Sequence, residues 1–118
     1  MRILTDSASI QGLIHDFWFD LDEVRHDVRQ GTVKFKIGED RKPSFNERTI
    51  IVTNVLKMTI VDDAEIRFYD INKIKLTANT VLLISGFPLE ILLAVSEGAE
   101  LCVEDARGDC YYLPVPPI

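Results

Sequence analysis

The sequence predicts a mainly β domain: an antiparallel meander forming a sandwich or partly closed barrel, with a short N-terminal helix. Three observations carry this. Several stretches alternate apolar and polar residues with the period of two that a half-buried strand requires. Turn-forming residues recur about every eight to twelve positions. After residue 48 no gap between apolar runs could hold a crossover helix, so successive strands must run antiparallel. The 118 residues make one domain, 1–118. A chain of this size buries roughly two-thirds of its unfolded surface and needs no metal to hold a core. Its composition, 47% hydrophobic and 27% charged, excludes a disordered or fibrous protein.

Asp6 or Ser7 is placed to cap a helix over 6–15, with Ile10, Leu13 and Ile14 on one side and Gly12 weakening it. The period then changes to two. Phe17, Phe19 and Leu21 point one way; Trp18, Asp20 and Asp22 point the other. Val24, His26 and Val28 keep that period, so 23–31 reads as a hairpin closing at Gly31. In 32–37, Val33, Phe35 and Ile37 alternate with Lys34 and Lys36. The charged stretch GEDRKPSFNER (38–48) is expected to be a mobile loop. TIIVTNVLKMTIV (49–61) is too long for one strand and should bend at Asn54. Further strands are expected at EIRFY, KIKLT, VLLIS, LEILLAV, AELCVED and YYL, with a compact hairpin turn at Ser96-Glu97-Gly98. PVPPI (114–118) reads as an extended tail. The near-continuous apolar runs 49–61, 81–85 and 89–95 should be covered on both faces, by a second sheet or by another subunit.

Charge is uneven. Residues 1–59 hold nine basic and nine acidic residues; residues 60–118 hold four and ten, and so carry the whole −6. That balance excludes nucleic-acid or anionic-membrane binding through bulk electrostatics, and would suit a basic protein partner. Cys102 and Cys110 are too few for a secreted disulfide framework and read as two reduced thiols, which implies a cytoplasmic protein. The start lacks the apolar stretch of a signal peptide, and 76–96 is interrupted by Asn79, Gly86, Pro88 and Glu90, so no membrane span is expected.

Few residues suggest chemistry. FDLDE (19–23), Thr53, Lys57 and Asp62-Asp63 resemble the haloacid-dehalogenase phosphatase signatures. The resemblance implies Asp20 as nucleophile, Asp22 as acid/base, Thr53 and Lys57 on phosphate and Asp62-Asp63 on metal. Glu23-Val24 departs from that family's pattern, and the short spacing from Thr53 to Asp63 leaves no room for its crossover helix. Asp20, Asp22 and His26 form a weak metal-ligand candidate, and the His15-Asp16 and His26-Asp27 dipeptides are similar to those of the helical HD phosphohydrolases, but no third histidine exists. No nucleophile elbow, P-loop or dinucleotide fingerprint occurs. Arg107-Gly108-Asp109 reads as a turn, and Pro114-Val115-Pro116-Pro117 as a stiff tail. Trp18, among carboxylates on an outward face, has the setting of an interface anchor, with Asp20 and Asp22 beside it; the alternative is a ring covered by the N-terminal segment or the 38–48 loop.

The stretch 15–37 resembles the opening of short uncharacterised bacterial proteins that begin with His-Asp, an aromatic F-D-x-D-x-[VI] strand, a turn and an amphipathic return strand. His15, Asp16, Phe19, Asp20, Asp22 and Val24 match, over about a fifth of the chain. The resemblance implies a bacterial β-rich domain of unknown function. Together these readings point to a non-enzymatic binding or assembly module without catalytic residues or cofactor, acting through protein–protein contacts and forming a homo-oligomer. The alternatives are a metal-dependent phosphatase-like hydrolase centred on Asp20 and Asp22, and an immunity-type inhibitor of a basic toxin.

Overall fold

The computed structural model describes residues 2–3, 7–39 and 47–116. They form a sandwich of two sheets and one helix, not closed into a barrel. The first sheet orders its strands β1 (Arg2–Ile3), β12 (Cys110–Pro114), β11 (Glu100–Asp105), β5 (Arg48–Val52), β4 (Thr32–Gly38), β2 (Trp18–Asp20) and β7 (Phe68–Asp70). A further strand, β3 (Arg25–Asp27), pairs with the other end of the same β4 edge as β2. The second sheet runs β6 (Val55–Asp62), β10 (Leu89–Val95), β9 (Thr80–Ile84) and β8 (Lys73–Thr77). Every pairing is antiparallel except β1 with β12. Among the described residues no α-helix follows α1 (Ser7–Ile14) to return a parallel strand.

The period of two places the core. Val33, Phe35 and Ile37 of β4, Ile50 and Val52 of β5, and Leu101 and Val103 of β11 face Leu89, Ile91, Leu93 and Val95 of β10 and Val81 and Leu83 of β9. Each such aliphatic side chain contributes about 1.5–3 kcal/mol of burial before its entropy cost is subtracted. The helix inserts Ile10 and Ile14, both fully buried, between β8 and β12. Asp6, its other expected cap, lies outside the described residues.

The expected break at Asn54 is present. Asn54 adopts φ +53, and the chain leaves the first sheet there for the second. Beside it the chain crosses back at 96–99. Thr53 N donates to Glu100 O, Ser96 N to Asn54 O, and the Asn54 side chain to Glu97 O. The turn at Ser96-Glu97-Gly98 therefore forms, but not as a hairpin: β10 and β11 lie in different sheets. The β3–β4 hairpin closes as expected, with Gly31 at φ +66 and Asp27 Oδ1 accepting from Arg29 N and Gln30 N. Its strand stops at Asp27, so Val28 sits in the turn and is 79% exposed. Of the loop expected over 38–48, positions 40–46 lie outside the described residues; Gly38 ends β4 and Arg48 opens β5. The expected tail at 114–118 is tied down where described: Val115 N donates to Ala99 O, and Pro116 O accepts from Asn79 N.

The reading of Cys102 and Cys110 as reduced thiols is corrected: the two sulfurs are bonded. The register sets Cys102 opposite Tyr112 and Glu104 opposite Cys110, so the cysteines lie diagonally on one face of adjacent strands, with Cα atoms 6.5 Å apart. The turn through 106–109, capped by Asp105 Oδ1 on Arg107 N and Asp109 N, brings them together.

Candidate functional site

The sequence-predicted residues separate. Trp18 is half-buried and rests on Phe87 of the β9–β10 loop, with ring centroids 6.0 Å apart. That is the local cover a lone tryptophan seeks. Asp20 does not face outward: its side chain is only 4% exposed. The strand ends there, a 3-10 turn follows over Leu21–Glu23, and Asp20 Oδ1 caps it by accepting from Asp22 N. Arg67, on the segment leading into β7, grips Asp20 through Nε and Nη2 at 2.8–3.1 Å and lies 3.4 Å from Asp22. The Arg67 hydrogen bonds lower the Asp20 pKa against the opposing effect of burial. Asp20 is thus an ionised, satisfied anchor.

His26 points elsewhere, with Nε2 3.0 Å from the Val55 carbonyl oxygen. Among the described residues no group of three or more His, Cys, Asp or Glu side chains is placed to hold a metal ion. The phosphatase-like set is also dispersed. Asp20 lies level with the Arg48 end of β5, two strands away across β4, while Thr53 follows the far end and accepts from Glu100 N. Asp62 accepts from Tyr69 Oη and from Glu65 N, which braces the 63–67 connection. Burial first, then the Asp62 hydrogen bond, raises the Tyr69 pKa.

Open clefts mark the surface of the described residues. One, about 520 Å³, lies against Glu97, Glu100 and Tyr112; a second, about 310 Å³, lies against Phe17, Arg48 and Arg107. In the second, Arg48 is already engaged, donating to Leu13 O and stacking over Phe17 at 4.8 Å. Neither cleft contains Trp18, Asp20, Asp22 or His26.

The feature that the sequence reading missed is β6. Its apolar run was expected to be covered on both faces, yet it forms an edge of the second sheet, with β10 on one side and no strand on the other among the described residues. Leu56 is 67% exposed, Val61 47% and Ile60 38%, and the neighbouring Leu92 of β10 is 41% exposed. The opposite edge, β8, is guarded: Lys73 and Lys75 project from it and α1 packs against it. Edge β7 is only three residues long. The single cation of β6 is Lys57. The sequence signal was available in part, since Lys57 and Thr59 interrupt the run.

No family model, no curated protein and no solved structure matches this chain. Among the described residues no helix is long and apolar enough to cross a membrane.

Proposed function

We propose that this protein is a non-enzymatic binding or assembly module that works through protein–protein contacts, docking a partner along β6. One observation carries the reading: an eight-residue edge strand with exposed Leu56, Ile60 and Val61 and little charge. Folded proteins blunt long edges with lysine, proline or very short strands, because an open edge templates further pairing. Here β8 carries two lysines beneath a helix and β7 is short, whereas β6 has Lys57 alone along eight residues. Strand addition uses such an edge: backbone hydrogen bonds supply affinity and alternate side chains supply selectivity.

The test is photo-crosslinking in cells, with a photoreactive residue in place of Ile60 and, as control, of Lys75 on the guarded edge. A protein adduct at position 60 well above that at 75 is expected. Equal or absent adducts overturn the proposal. The Cys102–Cys110 bond bears on compartment. Disulfides persist in oxidising surroundings, so the bonded form fits such a setting, whereas the cytoplasmic reading requires the same pair reduced.

A further inference from the structure

We infer that the partner of β6 is β6 of a second copy of this chain, the two four-stranded sheets joining into one continuous eight-stranded sheet. This rests on the docking role of β6 proposed above and adds the partner and the register.

The phase of the β6–β10 ladder shows which backbone groups face outward. Asp63 N donates to Pro88 O, and the register continues through Val61 opposite Glu90 and Thr59 opposite Leu92. Hydrogen-bonded pairs alternate along an antiparallel ladder, so Val61, Thr59 and Lys57 turn their amides toward β10, as far as the register shift that separates Lys57 from Val55. The amides and carbonyls of Met58, Ile60 and Asp62 therefore point to the open edge. The usable length is bounded. Val55 is already engaged, its N–H by Gly31 O and its carbonyl by His26. At the other end, β6 stops at Asp62.

A twofold axis perpendicular to the sheet pairs residues of the same face, so paired residue numbers must sum to an even value. Of the even-sum registers, the one with Thr59 on the axis keeps Lys57 paired within β6 and brings an opposite charge beside it. With Thr59 on the axis, Met58 pairs with Ile60 of the second copy through the outward-facing backbone groups, and Lys57 stands opposite its Val61. On that same outer face, Glu90 lies one strand beyond Val61. Lys57 and the second copy's Glu90 are then two strand spacings apart, roughly 10 Å between backbones, within reach of two long side chains meeting over the exposed Val61. The twofold repeats the contact, so the interface holds two opposite-charge pairs, and the stems of four charged residues cover apolar surface.

Sedimentation of the full chain over about 1 µM to 1 mM tests this. The expected result is a monomer–dimer equilibrium that stops at the dimer, because the pairing uses up the open edge. Lys57→Glu and Glu90→Lys should each dimerise about tenfold more weakly, since each sets like charges together twice. Their equimolar mixture should regain wild-type affinity, because both contacts then join opposite charges. Ile60→Pro removes an N–H that faces the partner and not β10, and should abolish the dimer. A chain that stays monomeric throughout, or a mixture no tighter than either variant alone, overturns the inference. If it stays monomeric while position 60 crosslinks another protein in cells, the docking role stands and the second copy does not. A dimer indifferent to all three substitutions uses another surface and overturns the inference, while the docking role is judged by the crosslink at position 60.

Discussion

The Cys102–Cys110 bond offers the most direct test of the register that builds the first sheet. The bond closes a loop with a sequence separation of eight. Cross-linking removes loop-closure entropy from the unfolded chain, and for a loop of this size the chain-entropy relation gives about 2.5 kcal/mol. For a domain of this length that corresponds to a fall in Tm of about 10 °C on reduction. Thermal unfolding followed by circular dichroism, with and without a phosphine reductant, measures it. The Cys102→Ser/Cys110→Ser variant should melt with the reduced wild type and ignore the reductant. Two results would refute the reasoning. Thiol titration of the native, unreduced protein could find two free sulfhydryls. Alternatively, the melting temperature could stay unchanged while mass spectrometry confirms that the bond has been reduced.

Three further outcomes follow from particular contacts. Tyr69→Phe deprives Ile66 N of its acceptor and Asp62 of its donor and should cost about 1–2 kcal/mol in urea unfolding. Because the folded Tyr69 pKa is raised, its share of stability is full below the ordinary tyrosine value of 10.0 and is lost as pH rises through the folded value; the variant should lack that alkaline loss. Asp20 has the opposite sign. Its lowered pKa stabilises the fold above the ordinary value of 3.8, and this is lost as pH falls through the folded value, so Asp20→Asn should be less stable at neutral pH and show a flatter acid limb in Tm against pH. Leu101→Ala empties a fully buried site between β5 and β12 and should cost about 2–5 kcal/mol by chemical denaturation, with the exposed Leu92→Ala well below that.

Local pattern made much of the fold legible. The lysines of β4 and β8 mark the solvent face of each strand, so the alternating apolar residues have one side to take. Asn54 tolerates the left-handed backbone needed to leave one sheet for another, which is why the long apolar run divides there. Partners distant in sequence were not legible. Turn residues at 96–98 announce a reversal but do not say in which sheet the next strand will pair. Asp20 was assigned outward by its period, yet its partner Arg67 arrives 47 residues later and the strand stops beneath it. The cysteines were judged by compartment and spacing, whereas a diagonal register across one hairpin decided their fate. At the candidate site the same limit applies. The composition of β6 reads as buried, and only the strand order leaves it at an edge.

The neighbouring crossings at 53–54 and 96–99 have a consequence for how the molecule comes into being. The strand β5 finds its partner β11 only after some fifty residues, and β6 waits for β10 across an excursion into the opposite layer. A ribosome that releases the chain from its amino end cannot complete either layer until β10 and β11 have emerged. The early strands β2 to β5 can pair with one another, but neither face of the core closes before β10 and β11 arrive, so stable structure should appear in a single late step.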